Sequence, residues 1–142
     1  MKTKVFYAII VITLLCCLSA CGSTNSSKAS TEPADLTGEW KQVNSSSEDS
    51  WQAATIEGET ITIYWVSNGG DTKSLYWAGT YVAPTTTDEP YSWDSENDHS
   101  QTDYALFASE DDIKTMTYEK GQISYSASAL GTTTTVRLEK QE

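Results

Sequence analysis

Residues 60–66 read TITIYWV, so that Ile61, Ile63 and Trp65 alternate with Thr60, Thr62 and Tyr64. Residues 74–82 read SLYWAGTYV, and there Leu75, Trp77 and Tyr81 alternate with Tyr76, Ala78 and Thr80. A period of two sends successive side chains to opposite faces of an extended strand, and the 3.6-residue period of an amphipathic helix is missing beyond the first twenty residues. The segments MTYE and QISYSAS flank Lys120-Gly121, with Met116 and Tyr118 on one face and Ile123 and Tyr125 likewise, which is a hairpin pattern. Glu57-Gly58 and Asn68-Gly69 add two turns in which glycine takes positive φ without steric cost. With GEWKQV, WQAATIE, DYALFAS and the closing TTTVRLEK, the chain predicts about eight short strands in an antiparallel, all-β meander.

Such a meander, in a domain of roughly 105 residues between Leu36 and Lys140, has to close or stack, because a flat open sheet leaves unpaired edges. Near-sequential hairpins favour a small up-and-down barrel; a sandwich, which needs longer crossovers, is the alternative.

Before the strands lies a different kind of chain. Met1-Lys2-Thr3-Lys4 precedes an apolar run from Val5 to Leu18 that is broken only by Thr13. The run is shorter than the roughly 20 residues of a membrane-spanning helix and has the layout of an export signal over residues 1–20. Leu18-Ser19-Ala20-Cys21 resembles the bacterial lipoprotein lipobox at all four positions. The resemblance implies that Cys21 becomes the first residue of the mature chain and carries a diacylglyceryl group on its sulfur, a reaction that needs a thiol nucleophile. The other two cysteines, Cys16 and Cys17, fall in the segment to be removed, so the mature domain has neither a free thiol nor a disulfide. That habit leans toward a Gram-positive source. Two acyl chains give durable anchoring, which implies a location on the extracytoplasmic face of the bacterial cell membrane. Residues 21–35 then read as a flexible Ser/Thr-rich tether, with a reach of about 20 Å, and residues 36–140 as the folded domain.

Loss of the signal removes Lys2 and Lys4, leaving 7 basic against 20 acidic side chains, and moves the formal charge from −11 to −13. Nucleic acid is excluded as a partner by that charge, and anionic lipid repels it, so the expected membrane contact is the anchor alone.

Gly38-Glu39-Trp40, at the start of the first strand, resembles the G-x-W opening of lipocalins and their calycin relatives. Arg137, in the last strand, is similar in position to the arginine that covers that tryptophan in lipocalins. The resemblance implies a barrel in which Gly38, Trp40 and Arg137 meet at one closed end, and a protein that binds a small molecule.

Chemistry for catalysis is sparse. His99 is the only histidine, it sits in the polar segment SWDSENDHSQTD, and no serine lies in a nucleophile elbow. The chain therefore reads as a binder with no cofactor and no catalytic residue. Asp94, Glu96 and Asp98 alternate as cation ligands of an extended loop do, but His99 and Ala105 stand where an EF-hand needs glycine and glutamate. An acidic solvated loop without metal is expected there. The remaining resource is aromatic, with 5 Trp and 8 Tyr against 2 Phe. Inward Trp65, Trp77 and Tyr125 are expected to fill the barrel or line a ligand pocket, whereas outward Trp51, Tyr64 and Tyr76 would offer a face to an envelope or foreign protein.

Overall fold

A computed structural model describes residues 31–129 and 131–142. Cys21, the export segment and most of the tether lie outside the described residues. The eight strands are β1 (Gly38–Gln42), β2 (Trp51–Glu57), β3 (Thr60–Ser67), β4 (Thr72–Thr80), β5 (Tyr91–Glu96), β6 (Ile113–Glu119), β7 (Gln122–Ala129) and β8 (Thr132–Lys140). A 3₁₀ turn spans Asn68–Gly70, and a single helical turn, α1, spans His99–Thr102. All sheet pairings are antiparallel, in the order β4-β3-β2-β1-β8-β7-β6-β5. The meander therefore curls into a nearly closed up-and-down barrel.

The tight turns form where glycine permits them. Lys120 and Gly121 both take positive φ (51° and 81°), the geometry that matches the right-handed twist of a hairpin. One closure is continuous: β1 pairs with β8 through Trp40↔Lys140, Lys41↔Glu139 and Gln42↔Leu138. The seam between β4 and β5 is thinner. It is made by the bridge Gly79↔Asn97, by the Glu96 amide donating to Thr80 Oγ1 (2.9 Å) and by the Trp77 indole N–H donating to Ser95 Oγ (2.9 Å). The two strands approach so closely that a Cβ on Gly79 would stand 2.5 Å from Ser95 Oγ and 2.6 Å from the Glu96 carbonyl oxygen. Only glycine fits there.

Alternation directs the core as the sequence requires: Ala54, Ile56, Ile61, Ile63, Met116, Ile123, Val136 and Leu138 all point inward and are buried. Leu36 crosses the base of the barrel, where its carbonyl accepts the Trp40 indole N–H (2.9 Å). Ala34 already packs on the core, slightly ahead of the expected domain boundary. Tyr81, Tyr91 and Trp93 complete this end, Tyr81 edge-on to Trp93 and Tyr91 stacked on it. Burial pushes the Tyr81 hydroxyl up to about 12.

Four expectations need correction. The polar stretch Tyr91–Glu96 is a strand, with Trp93 and Ser95 inward and Asp94 and Glu96 on the outer face, so these two acids are not in a loop. The segment DYALFAS, expected as a strand, instead leaves α1 as a loop whose Tyr104, Leu106 and Phe107 are exposed. Tyr76 does not face outward. A bulge between Ile63 and Tyr64 pairs Ile63 with Trp77 but Tyr64 with Leu75, so Tyr76 is the extra residue and is buried beside Trp77. Finally, Arg137 lies exposed on the outer face between inward Val136 and Leu138, whereas Trp40 points inward. Strand parity separates the two. The cation at the base is Lys140, which stands opposite Trp40 in the ladder and donates from Nζ to the Asp35 carbonyl (2.8 Å). Gly38 permits this with φ of 114° and a Cβ position 3.4 Å from the Lys140 stem.

Candidate functional site: the barrel mouth

The pole opposite Leu36 is formed by the ends of β3 and β7 and the starts of β4 and β8. A cavity of about 460 Å³ opens there, lined by Trp65 and Ser67 of β3, Ser74 and Tyr76 of β4, Phe107 and Ala108, and Ser128 and Ala129 of β7. Strands β3 and β7 stand four places apart in the circle of eight, so a hollow touching both lies inside the mouth and not on one wall. A second hollow of about 450 Å³ lies between the β1–β2 loop and β8 and shares Trp65. Trp65 is half-buried and edge-on to Tyr76, with ring centroids 5.3 Å apart. A large amphipathic ring between two hollows can shift its contacts without leaving the wall.

One side of the mouth is a strap formed by the chain between β5 and β6. It is fixed at both ends: the Asn97 amide donates to the Asp112 carbonyl (2.9 Å), and the Ser109 amide donates to the Tyr76 carbonyl on the free edge of β4 (2.8 Å). Asp98 caps α1 by accepting from the Ser100 amide (3.1 Å) and from Gln101 Nε2 (2.6 Å). His99 joins the strap's two arms, its Nδ1 to Asp103 (2.9 Å) and its Nε2 to Asp112 (3.0 Å). Those two carboxylates raise the affinity of the imidazole for its proton. Between the fixed points the strap holds Tyr104 and Leu106 out at 91% and 89% exposure, with Phe107 turned to the cavity.

Below the apolar lip the interior becomes polar. Gln52, fully buried at 0% exposure, points inward from β2 beside Trp65, its partner in the ladder. Its Oε1 accepts the Tyr125 hydroxyl, while its Nε2 has no protein partner. Burial pushes the Tyr125 hydroxyl well above the ordinary tyrosine range, and the nearby Tyr76 adds to that. The Tyr76 hydroxyl is also buried without a protein partner. Lys114 enters from β6 with its Nζ 5.2 Å from the ring centres of both Tyr76 and Trp77. The amine donates to Asp111 Oδ2 (2.5 Å) and to the Ser126 carbonyl (3.3 Å). That bond from Lys114, followed by one from Ser109, holds the Asp111 carboxyl below the usual range. A buried donor left dry costs about 1–3 kcal/mol, so two of them, one on a ring that lines the cavity and one on the ladder partner of Trp65, are a concentrated expense for a domain this small.

Of the residues expected to bind, only Trp65 lines the cavity. Tyr125 lies beneath it in the polar layer, and Trp77 is fully buried with its indole N–H satisfied by Ser95. Trp51 faces outward under Lys41, whose Nζ is 4.1 Å from the ring centre, and Tyr64 is partly buried on the outer face. Gln52 and Lys114 were not anticipated, and Tyr76 was expected on the outer face. The signal for two of them is present in the sequence, since Gln52 shares the parity of Ala54 and Ile56, and Lys114 that of Met116 and Tyr118. A polar side chain at an inward position marks either a satisfied network or a site. Among the described residues no group of three or more His, Cys, Asp or Glu is arranged to hold a metal ion. Comparison with family models, with curated proteins and with solved structures finds no match to this chain.

Proposed function

We propose that this chain is a bacterial lipoprotein, anchored through Cys21 to the extracytoplasmic face of the cell membrane, whose acidic barrel binds a small molecule of largely apolar character and performs no catalysis. The observation that carries the binding reading is the mouth: a cavity of about 460 Å³ inside the ring of strands, walled by Trp65, Tyr76 and Phe107. Drug-sized ligands occupy concave sites of about 300–1,000 Å³ with aromatic walls and a few polar groups, and this cavity has that size and lining. The anchoring reading rests on the lipobox resemblance and on a domain charge that gives it no other affinity for lipid.

The barrel's core lies between Ala34 and Leu138, so the chain from Gly22 onward contains all of it. Binding is tested on that chain by the fluorescence of N-phenyl-1-naphthylamine, a neutral apolar dye. Saturable binding that Trp65→Ala weakens at least about five-fold supports the reading. Dye binding indifferent to both Trp65→Ala and Phe107→Ser would remove the mouth as a site. A second reading, docking of an envelope or foreign protein, is favoured by the exposed Tyr104 and Leu106 on the strap. It requires that Tyr104→Ser with Leu106→Ser abolish capture of that partner while leaving dye affinity unchanged.

A further inference from the structure

We infer, building on the mouth as a binding site, that its ligand is amphipathic, with an apolar body against Trp65, Tyr76 and Phe107 and a head whose oxygen atoms accept hydrogen bonds from Gln52 Nε2 and the Tyr76 hydroxyl. The interior leaves particular polar groups without protein partners. The Gln52 carbonyl oxygen is taken by Tyr125, and the Gln52 backbone amide is taken by Gln42 Oε1 (2.8 Å). The unpartnered group on that side chain is its NH₂, which only donates. Lys114 has no acceptor to offer, and the Ser126 carbonyl beside it already receives the amine. The layer beside the mouth therefore holds two unpartnered groups that can donate, the Gln52 NH₂ and the Tyr76 hydroxyl. A ligand that brings acceptor oxygen completes it, and one that is apolar throughout leaves it dry.

Contiguity supports one head site and not scattered defects. Gln52 pairs with Trp65, Trp65 packs on Tyr76, and Tyr76 neighbours both Tyr125 and the Lys114 amine. A third buried donor, the Trp93 indole N–H, belongs to the stack at the base and takes no part. Charge alone does not explain the preference. Lys114 is balanced by Asp111, and the domain is strongly acidic, so long-range attraction works against an anionic head.

A matched pair of dyes tests the head. Anilinonaphthalene-8-sulfonate is N-phenyl-1-naphthylamine with one added sulfonate, whose oxygens only accept. The chain from Gly22 should bind the sulfonate about ten-fold more tightly than the neutral dye, the gain from one or two buried hydrogen bonds. Gln52→Leu and Tyr76→Phe should each erase most of that ratio. Tyr76→Phe should also raise Tm in the absence of dye, because it deletes a buried hydroxyl and keeps the ring. Equal affinities for the two dyes, both sensitive to Trp65→Ala, would overturn the amphipathic ligand and leave the mouth as a site. If Tyr76→Phe lowers Tm, the hydroxyl is satisfied in the free protein by enclosed water and the head site falls. Insensitivity of both dyes to Trp65→Ala and Phe107→Ser would instead remove the binding reading itself.

Discussion

Gly79 and Arg137 show at the residue scale how little composition says about consequence. A methyl group at Gly79 would meet a backbone carbonyl and a bonded serine at the barrel's thinner seam, and the backbone there cannot yield as a flexible side chain would. Gly79→Ala should destabilise by about 1–3 kcal/mol. Thermal melts should place its Tm lower by roughly 4–8 °C per kcal/mol. Arg137 sits on the outer face, its backbone amide donating to Asn44 Oδ1 (3.0 Å) while the side chain faces solvent. Arg137→Ala should change stability by no more than about 0.5 kcal/mol, as exposed substitutions do. Trp40→Ala, which empties the base, should cost about 3–5 kcal/mol. The two effects should add when combined, and a coupling well above about 0.5 kcal/mol would mean that the guanidinium reaches the indole after all.

The element that most invites a test is the strap. A histidine that bonds two carboxylates through both ring nitrogens must carry both protons, so the clasp exists in the imidazolium form. Its folded proton affinity is raised by Asp103 and Asp112. The contribution is therefore complete below the ordinary histidine value of about 6.5 and is lost as pH rises through the higher folded value. Hydrogen exchange at the Ser109 amide, which holds the strap to β4, should show greater protection at about pH 5.5 than at about pH 8.5, and His99→Ala should flatten the difference. Protection that grows with pH would reverse the sign and remove the clasp. The strap also marks where the sequence was misleading. β3, β7 and β8 announce themselves by alternation, and their turns by glycine, because one face of each carries consecutive apolar side chains: Ile61, Ile63 and Trp65 in β3, Ile123, Tyr125 and Ala127 in β7, Val136 and Leu138 in β8. β5 hides: Ser95 occupies an inward position for the sake of the Trp77 indole, which breaks the apolar pattern. DYALFAS reads as a strand because its apolar residues alternate loosely, yet they serve the lip of a cavity and the solvent. The bulge that turns Tyr76 inward depends on the pairing of two strands, which no single segment encodes. The place of Trp65 on the cavity wall was thus legible, and its polar neighbours were legible only as exceptions to parity.

For the whole molecule, the proposed attachment rests on one residue and is open to a direct test. Cys21→Ala should accumulate as unprocessed precursor on cell fractionation, because alanine has no thiol to take the lipid and the acidic barrel offers no other attachment to anionic lipid. Normal processing with membrane retention would dismiss the anchor. The continuous closure between β1 and β8 adds a further consequence. It places the first strand's start, Gly38, and the last strand's end, Lys140, at the same pole, tied together by the bond from Lys140 to Asp35. The chain therefore enters the barrel at its base, with the cavity at the other end. On any surface to which the N-terminus is fastened, the barrel is a cup held by its foot, and the strand of chain that holds it does not cross the rim.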